Sequence, residues 1–431
     1  KGRICCTEGT RLSQGAGGLR QAYLNAMAQC FPPHEIRLDE RLFDNPVYNT
    51  WIELTFNQTQ EGVLRYAHDA LGHGLPPGIL MIDDGWSDYY GRWHFSVEKF
   101  GSPMQMLSEL HRLGFAVMLW ICPFITPDTL EYRELEQAGL LVKDQSGQPH
   151  IAQWNGWSAV LDMTKPAACS WLKLQLDALQ ALGVDGFKFD AGDSIYYPTD
   201  SAVSGDEQSR AWAAFGEQYP LNEFRVTAGA GGWSLAQRLC DKDHSWGGTG
   251  LAALIPGAIV QSLTGHPFLC PDMIGGGEYR NFYHQERLDH ELVVRWTQLA
   301  CLMPMMQFSA APWRILSGRE YEQIQQAVAL RKRYMPLLRR ALEHCRRTGE
   351  PVLRPMAYVF PEPACAEVTD QFMVGDYLLV APILKQGAVR RTVYLPEGRW
   401  YSSSGEIINS VGEICEIEIG DGIGIFEKRC S

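Results

Sequence analysis

The chain has no CxxC pair, no apolar stretch long enough to span a bilayer, no run of basic residues, and no nucleotide-binding fingerprint of the GxGxxG or GK[ST] kind. Each absence excludes something. The twelve cysteines are scattered, several inside apolar runs such as LWICPF (Cys122) and LACLMP (Cys301), where a thiol serves as a small hydrophobe rather than as part of a zinc site or disulfide framework. That usage points to a reducing, cytoplasmic setting. The best membrane candidate, LAALIPGAIVQSLTG, is interrupted by Pro256 and Gln261 and falls short of the about 20 residues that a span requires. With 38 Lys+Arg against 50 Asp+Glu the formal net charge is −12, so neither nucleic acid nor an anionic membrane is expected as a partner. AGAGGW and IGGG, the two glycine-rich stretches, read as tight turns. The first residue is Lys1, and nothing near it resembles a charged leader before an apolar core, so no targeting segment is expected.

What is present begins with VDGFKFDAGD, Val184 to Asp193. It reads as a buried strand, yet alternation puts Phe187 and Phe189 on one face and Gly186, Lys188 and Asp190 on the other. A charged face on a buried strand costs several kcal/mol unless paired, which marks that face as one looking into a site. Seven more short apolar runs flank it in order: YNTWIELTF, ILMIDDGW, FAVMLWICPF before, and EFRVTAGA, QRLCDKD, PFLCPDMIGG, PMMQFSA after. Helix-period segments separate them, from EGVLRYAHDALGHG to the long YEQIQQAVALRKRYMPLLRRALEHC, with a helix expected in each crossover. Eight alternating strand and helix units predict a closed (β/α)8 barrel over residues 46–348. From 349 to 431 the texture changes to short alternating strands with PEG, SSG and GDG turns, predicting a small all-β sandwich. Residues 1–45 show no recognisable unit.

In such a barrel, functional groups sit at the C-terminal strand ends. The eight ends present Trp51, Asp83 and Asp84 with Trp86, Trp120, Lys188 and Asp190, Arg225, Asp241 with Asp243, Asp272, and Gln307. No histidine is among them, which argues against a zinc hydrolase. An oxygen-liganded magnesium site on Asp190, Asp241 and Asp272 is one reading. Paired carboxylates among tryptophans favour another, sugar chemistry, because glycoside hydrolysis needs two acids flanking the scissile bond. A chain with 13 Trp and 17 Tyr has aromatic platforms to spare for sugar faces.

FKFDAGD, RLCDKDHSWGGTGLAALIPGAIVQSLTGHPFLCPDMIGGG and MPMMQFSAAPW, together with LMIDDGW, VMLWICPF, QWNGWSAVLDMTKP and GDYLLVAPIL, resemble glycoside hydrolase family 31, in its branch around the myogenesis-regulating glycosidase. The resemblance runs from about residue 45 to the C-terminus. It implies a barrel with a C-terminal β-domain, no cofactor, and a glycoside or oligosaccharide as substrate. Asp190 is then the nucleophile. Asp241 and Asp243 both compete for acid/base, and Asp241 is preferred because Trp246 follows it at the family's five-residue spacing, leaving Asp243 as a loop cap or salt-bridge partner. By the same resemblance Asp83 or Asp84 and Asp272 accept sugar hydroxyls, Arg225 braces hydroxyl and carboxylate, and Trp51, Trp120 and Trp154 wall the pocket. Lys188 holds Asp190 ionised. Asp162 and Asp193 read as helix-start residues.

The expected activity is retaining, exo-acting hydrolysis of a terminal α-linked hexose, an α-galactoside by the branch resembled, with an α-glucoside as the alternative. A non-catalytic sugar-binding module and a metal-dependent barrel are the readings from other classes. Family members carry an N-terminal β-sandwich that contributes to the active site, for which residues 1–45 are too short. The chain is then a compact or trimmed form, or a homo-oligomer partner supplies that wall.

Overall fold

Eight apolar runs pair side by side in chain order in the computed structural model, which describes residues 17–35 and 37–428. They are β1 Val47–Asn49, β2 Ile79–Ile82, β3 Ala116–Ile121, β4 Gly186–Phe189, β5 Asn222–Phe224, β6 Gln237–Arg238, β7 Leu269–Cys270 and β8 Gln307–Phe308. Every neighbouring pair is parallel, in the order β7-β6-β5-β4-β3-β2-β1-β8. The ring closes between β7 and β8, where the Met305 N–H donates to Leu269 at 3.1 Å and the Ile274 N–H to Gln307 at 2.8 Å. ILMI and AVMLWI are buried on both faces, as strands enclosed by helices must be.

Two elements depart from the expected pattern. YNTWIELTF is not one strand: the Asn49 side chain accepts the Trp51 N–H at 2.8 Å, an Asx-type turn that ends extension, and Trp51–Leu54 coils into a helical turn. The crossover from β5 to β6, residues 225–236, contains no helix. The other crossovers do: α2 Gln60–Gly72, α3 Pro103–Arg112, α4 Pro166–Leu182, α5 Gly205–Glu217, α6 Leu254–Leu263 and α7 His290–Ala300, with α8 Gly318–Thr348 after the last strand.

Chain from before the barrel fills the missing position. After α1, Leu19–Cys30, the backbone runs against the glycine-rich loop, and the His34 N–H donates to Gly232 at 3.0 Å. The His34 ring stacks on Trp233 at 5.0 Å and bonds Glu217 at 2.8 Å. Gly232, at φ +82°, leaves no room for a side chain: a Cβ there would lie 2.3 Å from the Phe31 carbonyl oxygen. Within residues 1–45, which showed no unit in the sequence, the described residues form a helix and a strap against the barrel wall, while 1–16 and 36 lie outside the described residues. Tyr23 and Met27 of α1 bury against Tyr358 beyond the barrel.

The C-terminal region forms a six-stranded antiparallel sheet facing a two-stranded one, Arg390–Leu395 with Glu413–Glu418. Val393 and Leu395 of the small sheet pack on Met373, Leu379, Trp400 and Phe426 of the large one, which is the expected sandwich. The alternate residues of the large sheet, Phe372, Val374, Leu378, Val380 and Ile425, join the barrel's own core. Between β3 and α4 lies an unexpected flap, the strands Phe124–Ile125, Ile151–Trp154 and Gly156–Val160. Among the described residues no helix is long and apolar enough to cross a membrane.

The strap gives a direct expectation. Gly232→Ala displaces the 31–34 backbone and lowers the melting temperature by several degrees, a loss of about 2 kcal/mol or more. Gly229→Ala, also at positive φ but in open space, loses less, about 1 kcal/mol. Equal shifts in thermal denaturation would show that the strap is not held there.

Candidate active site

The alternation in VDGFKFDAGD is realised. Phe189 stacks on Phe224 of β5 at 4.9 Å and packs edge-on to Trp212 of α5, so this face is outside the ring. Gly186, Lys188 and Asp190 take the other face. A Cβ on Gly186 would meet the Leu221 carbonyl oxygen at 2.1 Å, which explains the glycine.

Asp190 is nearly enclosed, and every contact favours its anion. Oδ2 accepts from the Trp120 indole at 2.8 Å and Oδ1 from the Ala191 N–H at 2.7 Å. Arg225 lies 3.5 Å and Lys188 3.6 Å away. Burial pushes the carboxyl up, but Arg225, then Lys188 and Arg238, hold it well below the usual carboxylate range. Lys188 is shared: its shorter bond, 2.7 Å, goes to Asp83, so it is the bridge between two carboxylates rather than the private partner of Asp190. Arg225 is itself fixed over the Trp154 ring at 4.7 Å and paired with Asp193. Asp193 makes no side-chain cap to the turn it precedes, so its structural role is to anchor that arginine.

Arg238, two strands along the ring on β6, organises the adjoining stretch of wall. Its Nη1 donates to Asp241 at 2.8 Å and to Asp272 at 2.6 Å. Asp241 lines the same cavity as Asp190; Asp243, exposed on the loop beyond, does not. Asp272, expected to accept sugar hydroxyls, is placed differently. It lies fully buried behind the wall, with Oδ1 taken by Arg238 and Oδ2 by the N–H groups of Lys242 and Gly277 at 2.8 and 3.1 Å. Burial outweighs Arg238 there and, with Asp241 nearby, raises its carboxyl to about 6. A guanidinium thus sits between Asp241 and Asp272, two of the three groups that a magnesium site would have used. Among the described residues no group of three His, Cys, Asp or Glu side chains is arranged to hold a metal.

Asp83 and Asp84 both line the cavity, with different surroundings. Asp83 is committed to Lys188. Asp84 Oδ2 accepts from the Tyr90 hydroxyl at 2.7 Å and from Asn155 at 3.1 Å. Burial raises its carboxyl to about 6, despite Tyr90. Trp51, Trp120 and Trp154 are all on the walls, and the Trp154 indole N–H is buried without a hydrogen-bond partner. Trp86 is different: it is fully buried and donates to the Trp120 carbonyl at 2.7 Å, a packing residue. Gln307 is likewise internal, bonded to Glu223 at 2.6 Å and to Asn49 at 3.1 Å.

Spacing along the strand ends leaves out Asn155, Arg238, Glu278 and Tyr279, which also line the cavity. Two had a visible signal. Asn155-Gly156 is a hairpin dipeptide between alternating residues, and it forms the tip of the flap. Arg238 is a charge inside a buried strand, as Lys188 is. Glu278 and Tyr279 follow β7 on an irregular loop and carry no such mark.

A closed parallel barrel whose mouth gathers five carboxyl groups, Asp190 and Asp241 among them, with cations and tryptophans around a cavity of about 190 Å³ defines a protein of the glycoside hydrolase class. Residues 47–341 match the glycosyl hydrolases family 31 TIM-barrel domain, and 349–428 the glycosyl hydrolase family 31 C-terminal domain. The chain belongs to glycoside hydrolase family 31. It is 35% identical over 383 residues to the myogenesis-regulating glycosidase of Mus musculus, covering 85% of this chain and 53% of that protein. To a sulfoquinovosidase of Escherichia coli it is 27% identical over 351 residues, covering 75% and 51%. A family 31 dextranase of Flavobacterium johnsoniae, solved with glucose, shares the fold at a TM-score of 0.85 and 20% identity, over 96% of this chain and 55% of that one. The chain spans about half the length of the curated relatives it matches.

The raised carboxyl of Asp84 gives a signed expectation for any sugar bound here. Below about pH 6 Asp84 takes a proton and loses acceptor capacity, so KM for a glycoside rises as pH falls through that value. Asp84→Asn raises KM about tenfold, the worth of one good polar contact, and removes this acidic dependence. A KM profile in which the acidic limb survives in Asp84→Asn would assign it to another group.

Proposed function

We propose that this chain carries the catalytic barrel of a retaining, exo-acting α-glycosidase that removes a terminal α-linked hexose, with an α-galactoside preferred. The observation that carries the reading is the contrast at the cavity. Asp190 is buried, multiply bonded and held ionised by Arg225 and Lys188, whereas Asp241 is partly exposed at the rim of the same cavity. A nucleophile needs the first environment, and an acid/base that exchanges protons with leaving group and water suits the second.

In the first step an Asp190 oxygen attacks the anomeric carbon while Asp241 gives its proton to the departing glycosidic oxygen, forming a glycosyl ester on Asp190 and releasing the alcohol. In the second, Asp241 takes a proton from water as its oxygen attacks the same carbon and frees Asp190. Two inversions give net retention. The floor of the cavity is closed by the Lys188–Asp83 pair and Trp120, which suits a chain end rather than a chain interior. Asp84, Asn155 and Arg225 are the groups offered to sugar hydroxyls, with Trp154 as an aromatic wall. The galactoside preference rests on the resemblance to the myogenesis-regulating branch.

The test is nitrophenol release from the α-galactoside and the α-glucoside in parallel. The galactoside is cleaved faster, and Asp190→Asn lowers kcat by about 10⁴ or more, as removal of a covalent nucleophile does. Faster release from the glucoside would reverse the sugar assignment and keep the mechanism. Release undiminished in Asp190→Asn would end the mechanism itself. Added chelator leaves the rate unchanged; a loss of turnover would favour a metal-dependent barrel.

A further inference from the structure

Asp241 sits on a loop after β6 and is held by Arg238 and, through the N–H of the next residue, Lys242, by Asp272. Both anchors lie at the root of the loop, and residues 243–249 are exposed or half-buried. A group that must hand its proton to one particular oxygen needs a fixed position, so the rest of the loop has to be held as well. We propose that His244 and Asp289 are positioning residues that clamp this loop and thereby aim Asp241 at the departing oxygen. The inference rests on the glycosidase reading for the role of Asp241.

His244, three residues beyond Asp241, is bonded through both ring nitrogens to the backbone of other segments. Nδ1 lies 2.8 Å from the Gly275 carbonyl oxygen in the loop after β7, and Nε2 accepts the Asp289 N–H at 2.9 Å, just before α7. A carbonyl oxygen only accepts and a backbone N–H only donates, so a single form satisfies both, the neutral ring with its proton on Nδ1. Burial holds the imidazole below its ordinary range, which keeps it in that form. The His244 N–H donates to the Asn281 side chain at 2.7 Å, and Phe282 packs edge-on to the ring at 5.4 Å. The glycines of IGGG belong to the same contact. A Cβ on Gly276 would lie 2.5 Å from the Lys242 carbonyl oxygen, and one on Gly277 would lie 2.6 Å from Asp241 Oδ1, so the two loops approach this closely only without side chains there.

Asp289 has two separate duties. Oδ1 accepts the Leu292 N–H at 3.1 Å and caps α7. Capping does not account for Oδ2, which accepts the Trp246 indole N–H at 2.8 Å, five residues along from Asp241. The same oxygen accepts from Gln386 of the C-terminal sandwich at 2.9 Å, and Glu291, in the first turn of α7, accepts the Gly387 N–H at 2.9 Å. The C-terminal domain is thus joined to the loop that carries the proton donor through one carboxylate. His244 and Trp246 fix that loop at two points, and both bonds end on Asp289.

The test uses the leaving group. An alkoxide departs with a proton from Asp241, whereas fluoride departs with little such help. In the hexose series that the protein turns over, kcat/KM for the methyl α-glycoside therefore reports the acid, and kcat/KM for the α-glycosyl fluoride does not. Asp289→Asn keeps a good N-cap but turns an amide towards the indole, Trp246→Phe removes the indole N–H and keeps an aromatic ring, and His244→Phe removes both ring bonds. Each lowers kcat/KM for the methyl glycoside about tenfold, part of the about 10²–10⁴ that general acid catalysis supplies, and changes that for the fluoride by less than about threefold. Trp246→Phe is the smallest change and remains informative if the others unfold. Equal losses on the two substrates, or no loss on either, overturn the positioning role and leave the glycosidase reading intact. Failure of the unsubstituted protein to turn over any hexosyl fluoride ends that reading, and the proposal with it.

Discussion

The structure depends on an unequal division of charge inside the barrel mouth. Three cations, Lys188, Arg225 and Arg238, serve a larger number of enclosed carboxyls: Asp83, Asp84, Asp190, Glu223 and Asp272, with Asp241 at the rim. Three positive charges cannot neutralise them all in a poorly solvated space, so protons and anions are apportioned by geometry. Asp190 receives the field of all three cations and keeps its charge. Asp84 and Asp272 receive less and are raised to about 6, and burial raises Glu223 as well. One carboxylate is made dependable by leaving its neighbours undersupplied.

This arrangement is held by backbone that would not be stable on its own. Of the four non-glycine residues at positive φ among the described residues, three sit around the cavity: Thr55 after β1, Ala191 beside the nucleophile, and Asp272 after β7. Each is fixed by a hydrogen bond serving the site. The Ala191 N–H reaches Asp190, Asp272 holds the Lys242 and Gly277 amides, and Gln58 pins Thr55. Strain collected at strand ends and secured by buried polar groups is what a site needs if its shape must precede its ligand.

Much of this was legible in the sequence because barrels repeat. Eight apolar runs at regular spacing define the ring, and a lysine inside one of them marks the inward face. The same logic applies to Glu223 and Arg238, whose strands are too short for the period to stand out. Asp272 was misplaced because a strand-end carboxylate has two destinations, the cavity or the wall behind it, and only the Arg238 side chain decides between them. The flap was hidden because its strands interrupt the crossover instead of joining the ring. The helix expected between β5 and β6 was absent because three glycines in AGAGGWS deny it propensity and supply close approach.

The strap that replaces that helix affects how the molecule is assembled. Residues 31–34 pack against a loop some two hundred positions later, so a section of barrel wall is made from the two ends of a long chain interval rather than from one local unit. Local helices need only their own residues, whereas this seam needs the chain as far as Gly232, and closing so large a loop is slow and entropically costly. The strap therefore belongs with the long-range contacts of the ring, such as Val47 beside Gln307, and not with the local helices.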